Sequence, residues 1–200
     1  MSLLERSRMF VHQKAKLIEL TNEYQILDEE GQPIGFIRQE GQTTARKVLR
    51  FVSSLDQFLT HTYAIYDADG TKLLELTRPR KFMKSRFLVS DGAGLPVGTI
   101  VQENVVGKKR FRLLGQAGED LGTFQAENLI SWDFKILDAA GIPVGRVTKK
   151  WKGLGLEALT TADNYMVEID DSVSGPFRML AVASAASIDT ALKQDTGGLN

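Results

Sequence analysis

The sequence predicts a mainly β fold, in which antiparallel hairpins follow one another into a closed or nearly closed barrel around one C-terminal helix. Two observations lead to this prediction. A phrase of about twelve residues occurs five times, and each copy has the residue pattern of a β-hairpin. A segment near the C-terminus is apolar or small on nearly every side, which is typical of a buried helix.

The repeated phrase starts with an aromatic residue and continues with an aliphatic residue two positions later, a glycine at seven and an aliphatic residue at ten. Four of the copies add a second glycine at position eleven. The first two residues share one face of a strand, because side chains alternate with a period of two. The five copies begin at Tyr24, Tyr63, Phe87, Phe111 and Phe134, so successive starts lie 39, 24, 24 and 23 residues apart.

A turn is predicted in the middle of each copy. Four copies read Asp-x-x-Gly from Asp28, Asp67, Asp91 and Asp138, and the fifth has Gly115 in place of the aspartate. Aspartate suits the first position of a type I turn, and glycine suits the left-handed backbone that leads into the returning strand. The pattern therefore predicts five short hairpins.

The second glycine of the phrase lies inside the returning strand, where glycine normally weakens a sheet. These glycines are Gly35, Gly98, Gly122 and Gly145, and each is in phase with an apolar residue two positions later. Two explanations are open: the curvature of the barrel, and room for a helix inside it.

The predicted helix spans residues 177–193 and follows Gly175 and Pro176, which suit its start. Eleven of the 16 residues from Phe177 to Leu192 are apolar, and many of them are alanine. Sixteen helical residues extend roughly 24 Å, which is short for a bilayer core. Asp189 would also cost about 3 kcal/mol at mid-membrane, so we expect a core helix.

The other segments carry weaker signals. Residues 9–20 are expected to form one or two strands, residues 53–59 a short helix, and residues 151–169 an irregular strand pair. The predicted organisation is an N-terminal tail at 1–8, one barrel domain at 9–194 and a disordered tail at 195–200.

Composition indicates a globular protein without cysteine, so neither disulfides nor thiolate metal sites are expected. The first residues lack the apolar core of a secretory signal, and no apolar run reaches about 20 residues. We expect a cytoplasmic protein, or one peripheral to the inner face of the cell membrane.

Charge is segregated although the formal net charge is zero. Successive antiparallel hairpins place all their turns at one end of a barrel and all their links at the other. The turns carry nine acidic residues: Asp28, Glu29, Glu30, Asp67, Asp69, Asp91, Glu119, Asp120 and Asp138. The links carry basic runs, which the aromatic residues Phe82 and Trp151 interrupt.

The basic runs predict binding of anionic phospholipid headgroups at the link end, because lysine and arginine are attracted to anionic lipid and aromatic side chains favour its interface. Solvated links and lysines that protect strand edges are the structural alternative. Zero net charge and the absence of an RNA-binding aromatic motif argue against a nucleic-acid partner. The predicted headgroup-binding residues are Arg78, Arg80, Lys81, Lys84, Arg86, Lys108, Lys109, Arg110, Lys149, Lys150 and Lys152.

Signals for catalysis are weak, and the sequence predicts a protein that is not an enzyme and has no cofactor. The two histidines, His12 and His61, lie 49 residues apart in strand-like contexts. No nucleophile elbow or complete phosphate-binding loop occurs. An oxygen-rich stretch from Asp163 to Asp171 lacks the regular ligand spacing of a calcium loop.

Four segments and the terminal helix together resemble bacterial phospholipid scramblase-related proteins, within the scramblase, LURP-one-related and tubby C-terminal-like superfamily. The segments are residues 10–24, 48–58, 82–86 and 161–165. The resemblance extends over about residues 9–194 and implies a tubby-like closed barrel of about twelve antiparallel strands around a central hydrophobic helix.

Three functions are compatible with this resemblance. The first is peripheral binding of anionic phospholipid headgroups through the basic end, as tubby-type domains bind phosphoinositides. The second is phospholipid scrambling by a membrane-inserted C-terminal helix. The third is a protein-interaction or small apolar-ligand module, for which Tyr24, Tyr63, Phe87 or Phe111 would line a pocket.

Overall fold

The computed structural model describes residues 2–13, 23–40, 60–79, 85–104, 106–128, 133–148 and 164–196. These residues form a 3₁₀ helix (Leu3–Glu5), twelve strands and one α-helix, α1 (Gly175–Thr196). The strands are β1 (Arg8–Gln13), β2 (Glu23–Leu27), β3 (Pro33–Glu40), β4 (His61–Asp67), β5 (Lys72–Arg78), β6 (Arg86–Asp91), β7 (Pro96–Gln102), β8 (Arg110–Gly115), β9 (Asp120–Ala126), β10 (Phe134–Asp138), β11 (Pro143–Thr148) and β12 (Asn164–Ile169).

All twelve strands pair antiparallel with their neighbours in sequence, and β1 pairs with β12 to close the barrel. The predicted mainly β barrel around a C-terminal helix is therefore confirmed. The five repeats form β2–β3, β4–β5, β6–β7, β8–β9 and β10–β11. We call the end that carries their turns the turn end, and the opposite end the link end.

The predicted turn chemistry is confirmed in all five hairpins. The amide of each turn glycine donates to the carbonyl three residues earlier at 3.0–3.1 Å. Each glycine has a φ angle between +76° and +85°, a region that favours glycine. The Asp91 carboxylate accepts hydrogen bonds from the amides of Ala93 and Leu95, and Asp138 makes the equivalent pair. The acids of the turns thus build the hairpins as well as charging this end.

The barrel interior is filled by repeat aromatics and by α1, which enters from the turn end. Leu180, Ala181 and Ala183 on the helix have no solvent-exposed surface. On the wall, Phe124 stacks on Phe134 with their ring centroids 4.7 Å apart, and Phe111 lies 6.3 Å from Phe124. The helix contacts β5, β7, β8, β9 and β12. This close packing inside the barrel is possible because many of the helix residues are small.

The strand glycines allow close approach of neighbouring strands, and two of them also give the helix room, as one of the two explanations expects. A Cβ atom at Gly35, Gly98, Gly122 or Gly145 would collide with a backbone carbonyl of the neighbouring strand. At Gly98 it would also lie 3.1 Å from Leu180 of the helix, and at Gly122 only 2.9 Å from Phe177. These two glycines therefore permit both the tight strand approach and the seating of α1.

Arg178, in the first turns of α1, joins the two ends of the chain. Its guanidinium donates to four backbone carbonyls, those of Leu4, Arg6, Asp170 and Val173. The bonds to Asp170, Val173 and Arg6 measure 3.0, 3.1 and 2.8 Å, and the side chain is buried. One arginine of the helix therefore satisfies carbonyls of the N-terminal segment and of the β12–α1 loop.

Element boundaries differ from the predicted ones at both ends of the chain. The helix starts at Gly175 and ends at Thr196, beyond the predicted 177–193. Within the predicted tail at 1–8, Leu3 is buried against the core and the Ser2 hydroxyl caps the 3₁₀ helix. The predicted helix at 53–59, most of the strand pair at 151–169 and the last four residues lie outside the described residues.

A polar network ties β3, β4 and β5 together on the outer surface. The Tyr66 hydroxyl donates to the Glu40 carboxylate, and Lys72 Nζ lies 3.1 Å from Glu40 Oε2 and 2.9 Å from Glu75 Oε2. The tyrosine hydrogen bond and the lysine charge hold the pKa of Glu40 below its usual value of 4.5. Glu75 and Glu40 raise the pKa of Lys72.

Replacing Glu40 with glutamine is expected to lower the free energy of unfolding by about 1 kcal/mol at neutral pH. Because the folded pKa lies below the unfolded one, the carboxylate stabilises the fold above pH 4.5, and this contribution is lost as the pH falls through the folded pKa. Urea unfolding at pH 7 and below pH 4.5 should therefore show a difference between the two proteins that shrinks in acid. Glu29→Gln, at an exposed carboxylate, is the control, and an equal loss there would contradict the assignment.

Candidate anion-binding groove at the link end

The structure describes five of the eleven predicted headgroup-binding residues. They are Arg78, Arg86, Lys108, Lys109 and Arg110. The other six, Arg80, Lys81, Lys84, Lys149, Lys150 and Lys152, lie outside the described residues. The five described positions belong to three places at the link end: the end of β5, the start of β6, and the link between β7 and β8.

Arg78 is buried, with 1% of its surface exposed. It follows Leu74 and Leu76 on the inward face of β5, and it stands opposite His61 of β4 in the sheet register. His61 is buried as well and lies 2.8 Å from the side chain of Gln39. Arg78 thus belongs to a polar layer inside the link end, and it does not line the surface groove described below.

The link between β7 and β8 is a compact loop organised by Asn104. The side-chain amide of Asn104 donates to the carbonyls of Val106 and Lys108, and its oxygen accepts from the Arg110 amide at 2.9 Å. Gly107 has a φ angle of +90°, which lets the chain reverse within this loop. We call the described residues 103–104 and 106–109 the Asn104 loop. Its two lysines, Lys108 and Lys109, follow the reversal directly.

A groove of about 290 Å³ lies beside this loop on the outer surface of the barrel. Lys108 and Arg110 are exposed and Lys109 is half-buried. A fourth cation, Lys135 of β10, reaches the same groove because Arg110, Gln125 and Lys135 are opposite one another across β8, β9 and β10. The groove is lined by Lys108, Lys109, Arg110, Gln125, Ala126, Glu127 and Lys135.

Lys135 is a functional candidate that sequence reasoning missed. It lies within a repeat copy, between Phe134 and Ile136, whereas the predicted headgroup-binding residues were all placed on the links between copies. The period of two gives the missing signal, because a residue between two inward-facing apolar ones must face outward. Its partners across the sheet could be identified only after the strand register was known.

Acidic residues offset part of the positive charge. Glu127 lies 3.0 Å from Lys135 and 3.5 Å from Arg146, and Glu103 lies 2.9 Å from Arg110. Such exposed ion pairs contribute at most about 1 kcal/mol, so an incoming anion can compete for them. Within the described part of the chain, neither Lys108 nor Arg86 forms an ion pair. The groove lining itself has four cations and one carboxylate.

The described part of the oxygen-rich stretch at 163–171 uses its acids in local contacts. Glu168 pairs with Arg8 at 2.8 Å, and Asp171 accepts a hydrogen bond from the Ser7 hydroxyl. The Ser172 amide donates to Asp170 at 2.9 Å, and this bond lowers the pKa of the Asp170 carboxyl. These acids therefore fasten the N-terminal segment and the β12–α1 loop at the turn end.

The fold and the groove together define a class of protein: a closed antiparallel barrel filled by its own C-terminal helix, with a cationic groove at one end. The family model for Scramblase matches residues 1–192 of this chain. The chain therefore belongs to the scramblase family, which confirms the family resemblance of the sequence.

One curated relative is a phospholipid scramblase family protein of Schizosaccharomyces pombe, which is 27% identical over 161 residues. The match covers 74% of this chain and 41% of the yeast protein, so the chain spans about two fifths of that relative's length. No solved structure matches the chain. The family and the barrel fold support a lipid-related module.

Scrambling by a membrane-inserted helix would require α1 to cross the bilayer. A helix with the length and apolar character that a bilayer crossing requires is not found in the part of the chain that the structure describes. The residues of α1 from Leu180 to Ala185 are buried inside the barrel.

Proposed function

We propose that this scramblase-family barrel is a non-enzymatic module that binds anionic phospholipid headgroups peripherally, at the inner face of the cell membrane. The link-end groove, with Lys108, Lys109, Arg110 and Lys135 around one shallow cavity, is the observation that carries the proposal. Lysine and arginine side chains close to an anionic membrane contribute about 1 kcal/mol each.

The distribution of acidic residues supports an orientation in which the link end faces the membrane. All five hairpin turns lie at the turn end, and four of them carry aspartate at the first position. An anionic membrane repels that end and attracts the link end, so the molecule approaches the surface along its charge axis. Arg86, exposed at the start of β6, adds a further cation at the link end.

The packing of α1 favours peripheral attachment over insertion of the helix. Extraction of α1 would expose the aromatic wall of the barrel, including Phe124 and Phe134, to water. Each such side chain costs roughly 2–3 kcal/mol when it leaves the core. Binding through surface cations needs no such opening.

Co-sedimentation with phospholipid vesicles tests the proposal. We expect the protein to bind phosphatidylcholine vesicles that contain phosphatidylserine, and to be released as salt screens the attraction. Equal binding to pure phosphatidylcholine vesicles, or binding that is insensitive to salt, would contradict it. Addition and chelation of calcium in parallel samples separate headgroup binding from a calcium-dependent process.

The double substitution Lys108→Gln/Lys109→Gln is expected to weaken binding to these vesicles about tenfold or more. Two cations near anionic lipid contribute roughly 2 kcal/mol together, and each 1.4 kcal/mol corresponds to a factor of ten. Co-sedimentation at fixed salt measures the change.

Arg8→Gln/Lys72→Gln is the matched control, because it removes two cations from the turn end and gives the same net charge. If both double variants weaken binding equally, net charge rather than the groove controls attachment. Urea unfolding of each variant shows whether the fold is retained.

A further inference from the structure

Val106 is unusual among the apolar residues of this protein. Four large hydrophobic side chains are exposed within the described residues, and Val106 is the most exposed of them at 88%. It lies at the apex of the Asn104 loop, between the end of β7 and the start of β8. Val106 does not belong to the hydrophobic core that the described residues form.

The loop presents Val106 in a defined position. Its carbonyl accepts a hydrogen bond from Asn104 Nδ2 at 3.0 Å, and the same nitrogen donates to Lys108. Asn104 is itself anchored, because its carbonyl accepts from the Gln102 side chain at 2.8 Å. Gln102 is buried and also accepts from the Ser85 amide. The loop that carries the exposed valine is thus fixed to the barrel wall by hydrogen bonds from Asn104 to Val106 and from Gln102 to Asn104.

Cations lie close to this apolar tip in the chain. Lys108 and Lys109 follow it in the same loop, and Arg110 and Lys135 join them in lining the groove. An apolar tip followed directly by cations complements the surface of an anionic bilayer, where phosphates lie just outside the acyl region. We propose that the Asn104 loop is a membrane-inserting loop, in which Val106 enters the headgroup–acyl boundary while the lysines beside it contact lipid phosphates.

This inference rests on the proposed function, and it specifies which loop faces the membrane and how deeply Val106 enters it. The exposed apolar residues at the turn end provide the comparison. Leu95 and Ile142 are also exposed, at 63% and 58%, but they end the turns that begin at Asp91 and Asp138. An anionic surface repels those acidic turns. Apolar exposure alone therefore does not distinguish Val106 from Leu95 and Ile142, but the positive charge beside Val106 does.

Environment-sensitive labelling tests the orientation directly. The chain has no cysteine, so Val106→Cys provides one attachment site for the fluorophore NBD, and Leu95→Cys provides a matched site at the turn end. With phosphatidylcholine vesicles that contain phosphatidylserine, we expect NBD emission at position 106 to rise severalfold and shift to the blue. We expect no change at position 95, and no change at position 106 with inorganic phosphate alone.

The outcomes separate this inference from the proposed function. Co-sedimentation of the labelled protein without an emission change at position 106 overturns the insertion while headgroup binding stands. Absence of co-sedimentation overturns both. Equal responses at positions 95 and 106 overturn the orientation, and an emission rise in concentrated protein without vesicles assigns the tip to contact with a second copy instead.

Substitutions without a label give an independent measure. Val106→Asp is expected to weaken vesicle binding about fivefold or more, since apolar burial is lost and a charge is repelled. Val106→Leu should bind at least as tightly as the unmodified protein. Both substitutions lie on a solvent-exposed side chain, so unfolding in urea should be unchanged. Equal binding of all three proteins would overturn the inference.

Discussion

Replacement of Arg178 with methionine is expected to lower the free energy of unfolding by about 3 kcal/mol. The guanidinium is buried and donates to the carbonyls of Leu4, Arg6, Asp170 and Val173. Methionine has a similar length and no donor, so these carbonyls lose a charged partner, and each buried unsatisfied group costs about 1–3 kcal/mol. Partial access of water to the segment keeps the total below the sum. Urea unfolding followed by circular dichroism measures the loss.

Two further variants show whether the effect arises from these hydrogen bonds. Arg178→Lys keeps the charge but has three donors on one atom, so we expect an intermediate loss. Arg146→Met removes an arginine that is 48% exposed and whose ion pairs with described residues are long, at 3.5 Å to Glu127 and 3.9 Å to Asp133. The free energy of unfolding of Arg146→Met should fall by less than about 1 kcal/mol. If Arg178→Met were no more destabilising than Arg146→Met, the proposed role of Arg178 would be wrong.

Replacement of Gly98 with alanine is expected to cost about 2–3 kcal/mol, because the added methyl group has no space. It would collide with the carbonyl of Leu114 on β8 and lie 3.1 Å from Leu180 of the helix. A backbone carbonyl within a sheet cannot turn aside as a flexible side chain can, and overpacking of this kind typically costs 1–3 kcal/mol. The thermal unfolding midpoint and urea unfolding both report the effect.

Gly94→Ala, in the turn of the same hairpin, is the matched control. No atom lies within 4 Å of a Cβ at Gly94, but its φ angle of +85° disfavours alanine. We expect a cost of about 1 kcal/mol from backbone strain alone. A larger loss at Gly94 than at Gly98 would show that turn geometry, rather than the seating of α1 against β7 and β8, limits stability.

The features that the sequence predicted are local ones. Each hairpin combines alternation, an aspartate and a glycine within about twelve residues, so the five turns and the pairing of neighbouring strands could be predicted from the phrase alone. Helix α1 was recognised because its small residues surround the helix axis within one continuous segment. Within such short segments, the periodic spacing of apolar residues is enough to indicate a strand or a helix.

Features that depend on distant residues could not be predicted in the same way. The contact of Arg178 with Leu4 joins residues 174 positions apart, and no local pattern announces it. Lys135 joins Arg110 only through the register of three strands. Arg78 is an intermediate case. Its spacing of two from Leu76 and four from Leu74 places it on the inward face of the strand, where it is buried, but its position in a basic run favoured a surface location.

Closure of the barrel by β1 and β12 has a consequence for the order of assembly. Arg8 and Glu168 face each other across this seam, although 160 residues separate them. The first strand therefore leaves the ribosome long before its second neighbour exists, and only β2 can pair with it during most of synthesis. Until residue 169 emerges, the growing sheet has two open edges, and the helix that fills the interior is synthesised after all twelve strands. Strand β12 thus removes both edges, and α1, which follows it, completes the core.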